Sequence, residues 1–128
     1  MIVDTSALVA IVLREPEHDE LVHKLATAEA AGIGTPTLAE TGLVLSSRLG
    51  RDARGLVLGL LDALGVEEVP FGERHWREAV GAYLRFGRGR HPAGLNFGDC
   101  LTYAVASLAA EPLLFVGTDF AHTDLVAA

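Results

Sequence analysis

Two segments at opposite ends of this chain are apolar without interruption and each leads to an acid. Met1-Ile2-Val3 runs into Asp4, and Pro112-Leu113-Leu114-Phe115-Val116 runs through Gly117-Thr118 into Asp119. A strand that is apolar at every position has no face to turn to water. It must lie in a sheet covered on both sides, and such sheets are parallel, their strands joined by helices. The sequence between the two segments supplies those helices.

The chain is predicted to turn into a first helix at Thr5-Ser6. A second fits Glu17 to Ala30, where Leu21, Leu25 and Ala28 recur at helical spacing. Gly32-Ile33-Gly34 reads as a minimal strand or a turn. Thr35-Pro36 then gives an N-cap followed by a first-turn proline, opening a helix that runs to Leu49 and stops at Gly50. Arg51 to Leu64 reads as a further helix ended by Gly65, with the leucines of Leu56 to Leu61 filling the core. Val66 to Pro70 reads as a strand. Glu73 to Phe86 is amphipathic, with Trp76, Val80, Tyr83 and Leu84 near one stripe. Three glycines and Pro92 make Gly87 to Gly94 a loop, and Asn96 caps a helix through Ala110. The expected architecture is α/β with three layers, α/β/α, around a central parallel sheet, one domain over residues 1–128.

Composition narrows the class. The chain has 128 residues, half of them apolar, and a mean hydropathy of +0.34, so it can bury one sizeable core and is not disordered. The longest early apolar run, Ala7 to Leu13, falls far short of the roughly 18 residues of a membrane span. Met1 leads directly into the first strand with no basic region, so no cleaved leader is expected. The single cysteine, Cys100, closes no disulfide within the chain and reads as a buried small hydrophobe. A small soluble, cytoplasmic protein is the expectation.

Seventeen acids against ten bases give a net charge of −7, and Lys24 is the only lysine. Bulk charge therefore argues against phosphate binding built on lysine and arginine. The picture changes if the acids converge. Ligands of an open parallel sheet bind beyond the carboxyl ends of its strands. Asp4 closes the first strand and Asp119 follows the last, while Glu40 and Asp99 each lie in an early helical turn. Four carboxylates from four distant segments are thereby brought to one rim. Each also has a plain structural reading. Asp4 and Asp119 are at positions where Asp caps a helix, and Asn96 to Asp99 and Thr37 to Glu40 have capping-box spacing. Glu40, however, shares a helical face with Leu43, Val44 and Ser47, where a lone acid is costly unless paired.

Converging carboxylates repel one another unless some protonate or a cation joins them. A hard divalent ion suits such a set, because Mg²⁺ takes one or two carboxylates and keeps water and substrate phosphate as its other ligands. That chemistry is metal-assisted phosphodiester hydrolysis.

These residues, Met1 to Leu8, Thr37-Leu38-Ala39-Glu40, the run Gly89 to Cys100 and Gly117-Thr118-Asp119-Phe120, resemble the PIN-domain nucleases. Within that family they look most like the VapC toxins of bacterial type II toxin–antitoxin systems. The resemblance spans essentially the whole chain. It implies a PIN-like fold and an endoribonuclease dependent on Mg²⁺ or Mn²⁺, neutralised by a cognate VapB-type antitoxin and forming a homodimer. On the matching positions it makes Asp4 and Asp99 the principal metal ligands. Glu40 completes the site and positions water, and Asp119 is the fourth acid, with Asp124 a nearby alternative. Thr5, Ser6 and Thr118 are placed to hydrogen-bond these acids.

From Ala79 through Gly98 there is no acid, whereas Arg85, Arg88 and Arg90 give +3 and His91 adds a titratable donor. Beside the Asp99 helix, this segment is a candidate hold on an RNA backbone. Tyr83 and Phe86 read as core aromatics, Trp76 as a core or interface anchor. The run Glu15 to Glu20, at −4, reads as a solvated helix start favoured by the helix dipole. His18, His23, His75 and His122 lack zinc-site spacing.

Two other classes stay open at this level. A phosphatase of the haloacid dehalogenase type also ends its first strand in Asp, but it needs a second acid two residues on, where this chain has Ser6. A non-catalytic α/β binding module would use the acids only as caps. DNA in place of RNA is the remaining substrate class.

Overall fold

The computed structural model describes residues 1–128. Strand β1 (Ile2–Val3) leads into helix α1 (Thr5–Val12), followed by α2 (His18–Thr27), β2 (Ala31–Gly34), α3 (Thr35–Leu49), α4 (Arg54–Leu64), β3 (Val66–Val69), α5 (Glu73–Phe86), α6 (Phe97–Ala109) and β4 (Leu113–Leu114). A short 3₁₀ turn, Phe120–His122, follows. The sheet has the order β3-β2-β1-β4, and all three pairings are parallel. The chain moves outward from β1 through β2 to β3 and then crosses back to place β4 on the other side of β1. The crevice where the direction reverses therefore lies between β1 and β4, the position at which open α/β sheets bind ligands.

Alternation along the two short central strands divides the core. Val3 and Leu114 face one side and join α1, α2, α3 and α4 through Leu8, Leu21, Leu25, Leu45, Val57 and Leu61. Ile2 and Leu113 face the other and join α5 and α6 through Ala82, Phe86, Tyr103 and Val105. These are the three layers that the uninterrupted apolar strands require.

Several boundaries differ from the sequence expectation. Gly34, not Thr35, is the N-cap of α3, so Thr35 and Pro36 occupy the first two helical positions. Helix α2 is shorter than Glu17–Ala30 at both ends, and α4 begins three residues after Arg51. The stops fall as expected, Gly50 and Gly65 closing α3 and α4 at φ +68° and +67°, a left-handed conformation that glycine adopts without strain. Gly32 to Gly34 belongs to a true strand.

The apolar residues also sort differently. Only Val57 and Leu61 of the leucine-rich run are buried, and Leu58 is 60% exposed. Tyr83 is exposed, as are Trp76, Val80 and Leu84, because α5 packs on α6 through Ala79, Ala82 and Phe86 instead. Leu43, on the Glu40 face of α3, is 73% exposed. No helix is long and apolar enough to cross a membrane.

Candidate metal centre at the carboxyl edge of the sheet

Asp4 is the first residue beyond β1 and the N-cap of α1. It is buried, and its carboxylate is held on both sides. Oδ2 accepts from the Ser6 backbone N–H at 3.0 Å and from Ser6 Oγ at 2.6 Å, and Oδ1 accepts from Thr102 Oγ1 at 3.0 Å. Ser6 Oγ in turn accepts from the Val116 N–H at 3.0 Å, which ties the carboxyl ends of β1 and β4 together. The capping role read from sequence is real, and it is also what orients the carboxylate.

Asp99 is the third residue of α6 and completes a reciprocal capping box. The Asp99 N–H donates to Asn96 Oδ1 at 2.9 Å, and the Asn96 N–H donates to Asp99 Oδ2 at 3.1 Å. Burial and the negative charges of Asp4, Asp119 and Glu40 together outweigh that hydrogen bond and push the Asp99 carboxyl up to about 6. Two contacts bring its neighbours close: Thr102, one helical turn after Asp99, bonds Asp4, and Glu40 Oε2 lies against Gly98, the residue before Asp99.

Glu40 lies in the second turn of α3. Its Oε1 accepts from Thr5 Oγ1 at 3.0 Å, and its other oxygen lies over Gly98 at the start of α6. Asp119 is exposed beyond β4, as is the neighbouring Thr118. Asp124 is engaged elsewhere: Tyr103 Oη donates to its Oδ1 at 2.6 Å, and Arg85 pairs with its Oδ2 at 3.0 Å. Asp119 forms no such pair.

None of the four carboxylates forms an ion pair; the six in the chain involve other residues. The donor set is all oxygen, which fits a hard cation such as Mg²⁺ or Mn²⁺ and not a thiolate-seeking metal. No three side chains are grouped tightly enough to hold a metal ion as they stand.

Sequence reasoning named Thr5 and Ser6 as partners of the acids, and they bond Glu40 and Asp4, but it missed Thr37, Thr41 and Thr102 beneath them. Thr5, Thr37, Thr41 and Thr102 are all buried and mutually bonded: Thr37 Oγ1 lies 2.9 Å from Thr102 Oγ1, and Thr41 Oγ1 donates to Thr5 Oγ1 at 3.1 Å. The i, i+4 spacing of Thr37 and Thr41 beside Glu40 was the available signal.

In the acid-free segment, Arg85 gives its charge to Asp124 and stacks over Phe86. Arg88 and Arg90 form no ion pair, and Arg90 lies over the Tyr83 ring at 5.3 Å. His91 braces the loop, its Nδ1 accepting from the Ala93 N–H at 3.1 Å while its ring meets Phe86 edge-on.

The parallel sheet in this order, with Asp4 at its central carboxyl edge, has the arrangement expected of a PIN domain, and the family model described as "PIN domain" matches residues 1–126. Ribonuclease VapC36 of Mycobacterium tuberculosis is 48% identical over 126 residues, covering 98% of this chain and 91% of that protein. Ribonuclease VapC28 of the same organism is 46% identical over 129 residues, covering 96% and 93%. Among solved structures, M. tuberculosis VapC20, described as a sarcin–ricin loop cleaving toxin, has a TM-score of 0.80 at 18% identity, covering 99% and 97%. A toxin–antitoxin complex from Klebsiella pneumoniae gives 0.72 at 19%, covering 99% and 95%. The chain belongs to the PIN-domain family and, within it, to the VapC ribonucleases. A haloacid dehalogenase arrangement is excluded with it: Ser6, where that chemistry needs an acid, is bonded to Asp4.

Proposed function

We propose that this chain, as a single PIN domain over residues 1–128, is a Mg²⁺-dependent endoribonuclease, with Mn²⁺ able to substitute, and acts in the cytoplasm as the toxin of a type II toxin–antitoxin pair. What supports this reading is that Asp4, at the carboxyl end of β1, is tied through Thr102 to the helix carrying Asp99, that Glu40 lies against the start of that helix, and that none of these acids, nor Asp119 beyond β4, has a basic partner. Carboxylates left in that state are stabilised by a divalent cation.

Asp4 and Asp99 are the principal metal ligands, with Glu40 and Asp119 completing the set. A cation bound there supplies Lewis-acid stabilisation of the charge that develops on a phosphoryl group. Asp4 is fixed by Ser6 and Thr102, so it offers a preorganised oxygen. Glu40, held by Thr5, accepts a hydrogen bond from the attacking water and orients it. Thr118 stands beside Asp119 at the open end of the site. Arg88 and Arg90, free of ion pairs, contact the RNA backbone, and His91 presents Nε2 from the same loop.

Two exposed apolar surfaces support protein partners, a VapB-type antitoxin and a second copy of the chain. One carries Trp76, Val80, Tyr83, Leu84 and Phe97, the last 81% exposed, and the other Leu43 and Leu58. The Klebsiella neighbour is itself a toxin–antitoxin complex.

The test is inducible expression of wild type beside Asp4→Ala, with growth and cellular RNA followed together. New RNA fragments and growth arrest in wild type alone are expected. Identical growth and RNA in both would overturn the reading.

A further inference from the structure

Asp4 and Asp99 come from elements far apart in the chain, yet their relative placement must be held closely if both are to grip one ion. The residue that spans them is Thr102. It lies on α6 three positions after Asp99, so the two side chains share a helical face. Thr102 is fully buried, and its hydroxyl donates to Asp4 Oδ1 at 3.0 Å, a contact between residues 98 positions apart. We propose that Thr102 is a positioning residue: it fastens the Asp4 carboxylate to the helix that carries Asp99 and so sets the spacing of the two ligands. The inference rests on the carboxylate site described above.

The count of protons supports a directed role. A threonine hydroxyl has one proton to give. Bonds to a carboxylate are the stronger ones, so the Thr102 proton goes to Asp4. Thr37 Oγ1, 2.9 Å away, must then donate to Thr102. The result is a relay from α3 through Thr102 to Asp4, each hydroxyl polarising the next. With Ser6 donating twice to Oδ2 and Thr102 once to Oδ1, three of about four acceptor positions on Asp4 are filled. One position on Oδ1 stays open for a ligand, and Thr102 decides where it points.

Packing alone would ask only for the volume of a threonine. Valine has the same shape, so a purely structural position would accept it. The close approach of α6 to the end of β2 is fixed separately, since a Cβ on Gly34 would lie 2.7 Å from Val105 Cγ2. Hydroxyl loss at residue 102 therefore changes the carboxylate's orientation without lifting the helix.

The test compares wild type, Thr102→Val, Thr102→Ser and Asp4→Asn. Mn²⁺ affinity of each protein is measured by electron paramagnetic resonance, and kcat and KM on an RNA substrate are measured beside it. Hydrogen-bonding partners of metal ligands typically contribute about 10–100-fold in affinity, so Thr102→Val is expected to lose that much. It should lower kcat with little change in KM, while Thr102→Ser restores both affinity and rate. If Thr102→Val does not fold, Thr102→Cys, a poor donor, is read in the same way. Wild-type Mn²⁺ affinity in the valine or cysteine variant, with affinity lost in Asp4→Asn, overturns the role of Thr102 and leaves the site standing. Wild-type affinity in Asp4→Asn overturns the site and this inference with it.

Discussion

Gly98 and Glu40 meet where α6 begins: a Cβ added to Gly98 would stand 2.6 Å from Glu40 Oε2. The glycine leaves the space in which the Glu40 carboxylate rests, one residue before Asp99. Because the obstructed atom ends a flexible side chain, Gly98→Ala displaces the carboxylate and not the helix. Stability should stay within about 1 kcal/mol of wild type, since alanine is the better helix former. Cleavage should fall by about 10- to 100-fold, the cost of misplacing a catalytic group by roughly 1 Å. Combined with Glu40→Gln, the alanine should add no further loss. Urea melts and single-turnover rates check both halves, and additive losses in the double variant would mean Gly98 acts independently of Glu40.

Asp99 gives the site a pH signature. Its carboxyl is raised to about 6, by burial first and then by its acidic neighbours. From about pH 4 to about 6 the folded chain keeps a proton here that the unfolded chain has released. Stability owed to this group is therefore fully present below about pH 4 and is lost as pH rises through 6. Solvent screening of a half-buried carboxyl reduces that loss to on the order of 1–2 kcal/mol. Metal-free wild type should lose this much between pH 4 and 7 relative to Asp99→Asn, and Mg²⁺ at pH 7 should restore it. Parallel pH–stability curves for the two proteins would remove Asp99 as the source.

Asp4 and Asp99 were legible in the sequence because their signals are local: an acid closing an apolar strand, and an Asn-x-x-Asp box opening a helix. The threonine relay was not, because Thr37 and Thr102 meet only after α3 and α6 pack, 65 residues apart. Helical periodicity marked the Trp76–Val80–Tyr83–Leu84 stripe, but the stripe is exposed, and Tyr83 is not the core aromatic it was read to be. The chain buries the neighbouring alanines of α5 instead, since small side chains let α5 and α6 approach closely. In the same way a run as apolar as Leu56 to Leu61 cannot turn wholly inward on a helix. Its i, i+4 pair, Val57 and Leu61, is buried, Leu60 packs against the core from its edge, and Leu56 and Leu58 are exposed.

Asp119 and Asp124 have different work. Asp124 binds Tyr103 Oη and Arg85, and burial with that hydrogen bond pushes the Tyr103 phenol up to about 12. Asp124→Asn should shift the Tyr103 titration, read by ultraviolet absorbance, back toward the ordinary tyrosine range and leave the cleavage rate near wild type. Asp119→Asn should lower the cleavage rate and leave the tyrosine unmoved. The reverse pairing of effects would make Asp124 the fourth acid.

The net charge of −7 leaves little bulk attraction for RNA, so binding should depend on the few cations not already paired. Arg88 and Arg90 meet that description, whereas Arg85 is tied to Asp124 and Tyr103. The salt dependence of RNA binding separates them. For single-stranded RNA, each phosphate that the protein ceases to neutralise reduces the slope of log affinity against log salt by about 0.7. Arg88→Ala and Arg90→Ala should each flatten the slope by about that amount and raise KM, with kcat near wild type. Arg85→Ala should leave the slope unchanged, because the guanidinium it removes is already neutralised. Binding isotherms at several KCl concentrations, with Mg²⁺ fixed and Asp4→Asn used to prevent cleavage, give the three slopes. A slope altered only by Arg85→Ala would move the RNA path from the loop onto the last turn of α5.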